Sequence, residues 1–199
     1  MSRVEGTVAP SAAPPVRSRW RGGRAWLLVV GTAARIVVAP VVMGLVLSGD
    51  YTPAAIVFAL AATTDWFDGR LARRWAVTSP LGAFLDTTAD KLLVTAGLVA
   101  LVAVDRASPW LAFVIVAREL MLLGLRAAVA AQGRQLEPSL LGKWKATVQF
   151  AAIALAMLRP DVTIAGAWLD EWALVLAAAV TVWSGIDYGT RFRDALRGS

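Results

Sequence analysis

The sequence contains no cysteine and no histidine. Their absence excludes disulfides, structural zinc sites and every catalytic scheme that needs a thiolate or an imidazole. Charged residues are also scarce, at 17% of the 199 residues, whereas hydrophobic residues make up 58%. Because a soluble domain of this size would not stay dissolved with such a composition, we expect an integral membrane protein whose chemistry uses oxygen ligands, carboxylates and cations.

Six apolar stretches have the composition of membrane-spanning helices. They are residues 25–47, 52–64, 81–104, 110–130, 147–158 and 168–186. A bilayer core needs roughly 20 apolar residues per helical span, so we expect the short second and fifth spans to begin or end in the polar segments beside them. The prediction is an all-α integral membrane protein with six transmembrane helices and no soluble domain.

Arginine and lysine are concentrated in segments that a six-span arrangement places on one side of the membrane. These segments are residues 17–24, 70–74, 134–145 and 191–197, and the opposite connections contain only Arg106 and Arg159. Short basic loops stay in the cytoplasm, so the pattern predicts a multi-pass protein of the cell membrane with both termini cytoplasmic. A basic face at the membrane attracts anionic head groups, and nucleic acid is a poor partner for a chain without a soluble domain.

Two pairs of aspartates lie near the ends of the second and third predicted spans. Asp65 and Asp68, like Asp86 and Asp90, have a spacing that puts each pair on one face of a helix. An unpaired carboxylate in a span costs about 3 kcal/mol, and converging oxygen ligands are what Mg²⁺ or Mn²⁺ prefers. The pattern predicts a divalent-metal site; carboxylates solvated at helix ends are the alternative.

The residues between the aspartates favour a phosphate-containing ligand. Gly69 removes a side chain beside the carboxylates, Ala72 keeps that helix face thin, and Arg73 can pair with a phosphate. The whole pattern resembles the signature of the CDP-alcohol phosphatidyltransferases at every defined position: Asp65-x2-Asp68-Gly69-x2-Ala72-Arg73-x8-Gly82-x3-Asp86-x3-Asp90.

This resemblance implies a six-helix fold, usually a homodimer, with two metal ions at the cytoplasmic ends of the second and third helices. It also implies that an alcohol attacks the β-phosphate of a CDP-linked lipid and that CMP leaves. Asp65 and Asp86 would bridge both ions, Asp68 would hold one, and Asp90 would bind the other and act as the base. The implied CDP-lipid contacts are Thr32, Gly69, Arg73 and Thr78.

Cations in the second half of the chain indicate the acceptor alcohol. These cations are Arg118, Arg126, Lys143 and Lys145. They favour an anionic acceptor, since a phosphate monoester brings about two negative charges. The alternative is that Arg118 pairs with a carboxylate of a neighbouring helix and that Lys143 and Lys145 only set the membrane topology. Together with Gly142, Thr147 and Gln149, these residues resemble the branch that transfers from CDP-diacylglycerol to sn-glycerol 3-phosphate, the phosphatidylglycerophosphate synthases.

Three other functions stay open. The same chemistry could use phosphatidylglycerol, giving cardiolipin, or inositol phosphate as the acceptor. A cation transporter with the aspartates as its ion path would leave Gly69, Ala72 and Arg73 unexplained. The predicted organisation is a disordered or interfacial tail at 1–24, for which a cleaved signal peptide is the competing interpretation, a six-helix transmembrane catalytic domain at 25–190 and a basic tail at 191–199.

Overall fold

The computed structural model describes residues 23–75, 80–131 and 140–197, and this part of the chain forms six α-helices and one small hairpin. The helices are α1 (Gly23–Leu47), α2 (Tyr51–Trp75), α3 (Pro80–Ala103), α4 (Pro109–Ala131), α5 (Leu140–Leu158) and α6 (Leu169–Arg197). Each of the six predicted spans coincides with one helix and overruns it by at most one residue. The predicted all-helical architecture is therefore confirmed.

The short predicted spans do extend into polar sequence. Helix α2 continues past residue 64 to Trp75, and α5 begins at Leu140, well before residue 147. Even α5, with 19 residues, has a length of about 28 Å, close to the thickness of a bilayer core. Within the described residues, two windows are both long and apolar enough for a span: Val30–Leu47, with a mean hydropathy of 2.1, and Leu169–Thr190, with 1.4. Crossing by all six helices stays a prediction.

The predicted terminal segments are only partly described. Of residues 1–24, the structure describes the last two, where α1 begins, and the rest lie outside the described residues. At the other terminus, α6 continues to Arg197, so most of the predicted basic tail is helical.

The connections α1–α2, α3–α4 and α5–α6 meet at one end of the bundle, which we call the loop end. Arg106 donates from Nη1 to the Met157 carbonyl oxygen over 2.7 Å, and its guanidinium lies 3.4 Å from the centre of the Tyr51 ring. Arg159 donates to the carbonyl oxygen of Asp105 over 3.4 Å. Helices α2, α4 and α6 therefore finish, and α1, α3 and α5 start, at the opposite end, which we call the basic end.

Local backbone geometry keeps the loop-end connections short. After α1, Gly49 has a φ of 87° and Asp50 donates its N–H to the Leu45 carbonyl oxygen, which closes a Schellman turn. Asp105, with a φ of 55°, has the same place after α3. Between α5 and α6, strands β1 (Thr163–Ile164) and β2 (Ala167–Trp168) pair through a two-residue turn with positive φ at both positions.

Apolar side chains fill the bundle and also cover its outside. Helix α3 packs against α1, α4 and α5, and α5 also packs against α2 and α6. Fully buried residues include Phe58, Leu93, Leu98, Ile115, Ile153 and Met157. Large apolar side chains on the outer surface, such as Val37, Leu60, Phe113, Met121 and Ile186, are more than 60% exposed. An exterior of this kind needs an apolar solvent, as a lipid-facing surface has.

Gly97 lets α3 and α5 approach each other closely. A Cβ atom there would lie 3.2 Å from Cγ2 of Ile153 and 3.3 Å from Cε of Met157, both in the core. Gly97→Val is therefore expected to lower the free energy of unfolding by about 1–3 kcal/mol, measured by thermal unfolding in detergent. Gly124→Val is the matched control, because nothing lies within 4 Å of a Cβ at Gly124. Equal stability of the two variants would contradict close packing at Gly97.

Arg106 joins three helix connections at the loop end. Arg106→Ala is expected to lower the free energy of unfolding by about 2 kcal/mol, because a charge-assisted hydrogen bond and a cation–π contact are both lost. Arg106→Lys should retain part of the stability, since the charge stays but the flat guanidinium does not. Thermal unfolding in detergent measures both changes; an unchanged melting temperature for Arg106→Ala would contradict the prediction.

Candidate active site at the basic end

The aspartate pairs lie on the two helices that the sequence predicted. Asp65 and Asp68 are in the C-terminal part of α2, and Asp86 and Asp90 are in the N-terminal half of α3. These helices contact each other and are joined at the basic end, so both pairs reach the same end of the bundle. The side chains of Asp65, Asp68 and Asp86 lie outside the described residues, and the convergence of four carboxylates stays a prediction.

Asp90 has the surroundings that a metal ligand or a base requires. Its side chain is 18% exposed, and Oδ2 accepts a hydrogen bond from Lys91 Nζ over 3.1 Å. Oδ1 is buried and has no hydrogen-bond donor among the residues that the structure describes. A buried carboxylate oxygen needs a partner, and a cation or a proton would supply it. Within the described side chains alone, no three acidic groups come together to hold a metal.

The predicted CDP-lipid contacts are spread over α1 and α2. Gly69 and Arg73 lie on α2, one turn apart. The structure does not describe the surroundings of these two residues, and Thr78 lies outside the described residues. Thr32 lies in the half of α1 nearer the basic end and is 9% exposed, and Arg35, one turn later, is also buried. Since α1 packs against both α2 and α3, Thr32 and Arg35 lie on a helix next to the two aspartate helices.

Three cations from three helices surround one carboxylate in the bundle. Glu119 of α4 accepts from Lys91 of α3 at Oε2 over 2.6 Å, and from Arg118 at Oε1 over 3.1 Å. Lys145 of α5 also forms an ion pair with Oε1. We call Lys91, Arg118, Glu119 and Lys145 the cation cluster. Because Lys91 also contacts Asp90, the cluster is joined directly to the aspartate site.

Helix α6 holds the two arginines of α4 in place. Arg118 Nη2 donates to Ser184 Oγ over 2.7 Å, and a Cβ at Gly185 would lie 3.4 Å from Arg118 Cγ, so a glycine there gives the arginine room. Arg126 donates from Nε to the Tyr188 hydroxyl over 3.1 Å, and its guanidinium lies 4.9 Å from the centre of that ring. Both contacts fix side chains that would otherwise be free to rotate.

The cation cluster has more positive than negative charge. Among these five side chains, Lys91, Arg118 and Lys145 face Glu119 and Asp90, so positive charges exceed negative charges by one. The side chains of Lys145 and Glu119 are each only 4% exposed, so water screens this charge weakly. Buried positive charge in excess would favour an anionic ligand, and binding of an anionic acceptor here stays a prediction.

The predicted acceptor residues are brought together in part. Arg118 and Lys145 share Glu119, whereas Arg126 lies two turns further along α4 and contacts Tyr188. The side chain of Lys143 lies outside the described residues. The alternative was that Arg118 pairs with a carboxylate of a neighbouring helix. In the structure Arg118 pairs with the carboxylate of Glu119 on its own helix and donates to the Ser184 hydroxyl of α6.

Sequence reasoning did not identify four residues of the site. Lys91, Glu119, Ser184 and Tyr188 were not among the predicted site residues, although Glu119 follows Arg118 directly in the sequence. The available signal was Glu119 itself, because an acidic residue inside an apolar helix marks a functional site by default.

The fold and the site define an all-helical membrane protein with acidic residues and buried cations at one end of the bundle. The family model for CDP-alcohol phosphatidyltransferase matches residues 29–183 of this chain. The chain therefore belongs to the CDP-alcohol phosphatidyltransferase family, as its aspartate pattern predicted.

Relatives with a common function match much of the chain. A protein of Bacillus subtilis is 36% identical over 185 residues, which cover 84% of this chain and 95% of the relative. One from Sodalis glossinidius is 43% identical over 139 residues, which cover 67% of this chain and 75% of the relative. One from Escherichia coli is 40% identical over 143 residues, which cover 68% of this chain and 75% of the relative. Each of the three is a CDP-diacylglycerol–glycerol-3-phosphate 3-phosphatidyltransferase.

Proposed function

We propose that this chain transfers the phosphatidyl group of CDP-diacylglycerol to sn-glycerol 3-phosphate, giving phosphatidylglycerophosphate and CMP in phospholipid biosynthesis. The observation that carries the proposal is Lys91, whose Nζ contacts both Asp90, at 3.1 Å, and Glu119, at 2.6 Å. The candidate base and the cation cluster are therefore adjacent. A small acceptor that has both a hydroxyl and a phosphate would reach the two groups at once, and this is the acceptor of the three relatives by their names.

In the proposed reaction, a hydroxyl oxygen of glycerol 3-phosphate attacks the β-phosphorus of CDP-diacylglycerol. A new P–O bond forms, the P–O bond to CMP breaks, and Asp90 accepts the hydroxyl proton. Arg118, Arg126, Lys143 and Lys145 bind the acceptor phosphate, which orients the hydroxyl toward the donor. The nucleotide and diphosphate of the donor contact Thr32, Gly69, Arg73 and Thr78.

Asp65, Asp68, Asp86 and Asp90 would hold two Mg²⁺ or Mn²⁺ ions. Divalent-metal dependence is general in this family, and the donor set of carboxylate oxygens without sulfur or imidazole suits these ions. Bound there, the ions would stabilise negative charge on the attacking and leaving oxygens. The buried, partnerless Oδ1 of Asp90 supports this assignment within the described residues.

We further propose that all six helices cross the plasma membrane and that the basic end and both termini are cytoplasmic. The loop end supports this orientation, because its two arginines, Arg106 and Arg159, are engaged with carbonyl oxygens of neighbouring connections. Residues 25–190 then form the catalytic domain, with residues 1–24 as an interfacial tail and residues 191–199 as a basic end segment. We propose a homodimer as the working assembly.

The proposed function is tested by CMP release from purified protein in detergent with CDP-diacylglycerol and Mg²⁺. Glycerol 3-phosphate, inositol phosphate and phosphatidylglycerol are offered in separate reactions, and a reaction with EDTA serves as the metal-free control. We expect release with glycerol 3-phosphate alone. Release only with another acceptor would contradict the acceptor assignment. Metal flux into vesicles without CMP release would favour the transporter instead.

A further inference from the structure

We propose that Glu119 is a positioning residue, whose carboxylate holds Arg118 and Lys145 where they receive the phosphate of the acceptor. This inference rests on the proposed function, because it gives Glu119 a role in binding glycerol 3-phosphate. It adds to that function a carboxylate that itself repels the acceptor and acts only through the cations around it.

Both oxygens of Glu119 are occupied by cations. Oε1 accepts from Arg118 over 3.1 Å and from Lys145, and Oε2 accepts from Lys91 over 2.6 Å. A carboxylate has about four acceptor positions, so donors from α3, α4 and α5 fit on it together. Glu119 is the one residue of the cation cluster that contacts each of the other three.

Electrostatics explains why the cluster needs a carboxylate at its centre. Lys145 comes from α5 with a side chain only 4% exposed. A lone buried cation in a membrane span is unfavourable, and neighbouring cations would repel it further. Glu119 offsets both costs before any acceptor is bound. The cations therefore stay in place without substrate, and binding does not have to gather them.

The cluster is more than a structural ion pair, because it keeps capacity for another anion. Within the cluster and Asp90, which are described in the structure, three cations face two carboxylates. Arg118 Nε is buried and has no acceptor among the described residues, although Nη1 and Nη2 are engaged with Glu119 and Ser184. A phosphate is a ligand that takes up both an excess of positive charge and an unused guanidinium donor.

The test is steady-state kinetics of Glu119→Gln, with the KM of each substrate measured separately. We expect the KM for glycerol 3-phosphate to rise about tenfold, while the KM for CDP-diacylglycerol changes less than about twofold. Glu119→Asp retains the charge and should recover part of the loss. Glu171→Gln is the matched control: Glu171 pairs with Arg159 at the loop end, and neither KM should change.

A double-mutant cycle asks whether Glu119 acts through Lys145. If it does, Glu119→Gln should change the acceptor KM little in a Lys145→Gln background. Fully additive effects would overturn the positioning role. Thermal unfolding in detergent is recorded for each variant; if Glu119→Gln does not fold, the same cycle is run with Glu119→Asp.

The outcomes separate this inference from the proposed function. If the unmodified protein releases no CMP with glycerol 3-phosphate, the proposed function fails and the inference fails with it. If the unmodified protein is active but Glu119→Gln shifts both KM values equally, or neither, the inference alone fails. A selective rise in the acceptor KM, absent in the Lys145→Gln background, supports it.

Discussion

Asp90→Asn is expected to lower kcat by about a thousandfold, the range in which loss of a general base usually falls. The amide has nearly the shape of the carboxylate but cannot accept the hydroxyl proton and is a weaker ligand for Mg²⁺. CDP-diacylglycerol binding should be largely preserved, because the proposed donor contacts Thr32, Gly69 and Arg73 are on α1 and α2, not on α3. CMP release and equilibrium binding of the CDP-lipid measure the two effects separately.

Asp50→Asn is the matched control for Asp90→Asn. Asp50 is an exposed aspartate at the loop end that accepts a hydrogen bond from Ser48 over 3.0 Å, and its replacement should leave kcat unchanged. A titration of Asp90→Asn with Mg²⁺ distinguishes the role of Asp90 as a metal ligand from its role as the base. Turnover restored at high Mg²⁺ would mean that Asp90 acts only as a ligand. Full activity of Asp90→Asn without added metal would exclude both roles.

Lys145→Ala is expected to raise the KM for glycerol 3-phosphate about ten- to a hundredfold, which corresponds to the loss of one hydrogen bond to a charged group. Lys145 is buried and pairs with Glu119 in the cation cluster, so water cannot replace its charge. The KM for CDP-diacylglycerol, measured with the same variant, is the internal control and should stay nearly constant. A rise of equal size for both substrates would contradict a role in acceptor binding.

Lys145→Arg gives a second measure of the same site. An arginine keeps the charge, but its planar guanidinium needs more space than an ammonium in a position that Glu119 already occupies. We expect an acceptor KM between those of the unmodified protein and Lys145→Ala. An acceptor KM above that of Lys145→Ala would mean that the shape of the side chain matters more than its charge.

Helix positions could be predicted because each apolar stretch has at least 12 residues and is bounded by polar or turn-forming residues. The predicted extension of the second and fifth helices into polar sequence is also confirmed. Its physical reason is that a stretch of about 13 apolar residues is too short for a bilayer on its own. The hairpin before α6 was not predicted. Its strands have two residues each, and a pattern of alternation needs at least four.

The aspartate spacing predicted part of the site for a physical reason. Residues three or four apart share a helix face, so the placement of Asp65 and Asp68, and of Asp86 and Asp90, on two helices followed from the sequence. The cation cluster around Glu119 could not be predicted in the same way, because spacing along one helix does not say which side chains of other helices face it. Arg118 and Ser184 are 66 positions apart in the sequence, and no local pattern between them indicates their contact.

The anchoring of Arg118 and Arg126 by α6 has a consequence for biosynthesis. Ser184 and Tyr188 leave the ribosome after every other described helix has been made. A nascent chain that has inserted only α1 to α5 already contains both aspartate pairs and all three cations that contact Glu119. Its two α4 arginines nevertheless lack their supports, so we expect competence for acceptor binding to arise late, when α6 docks.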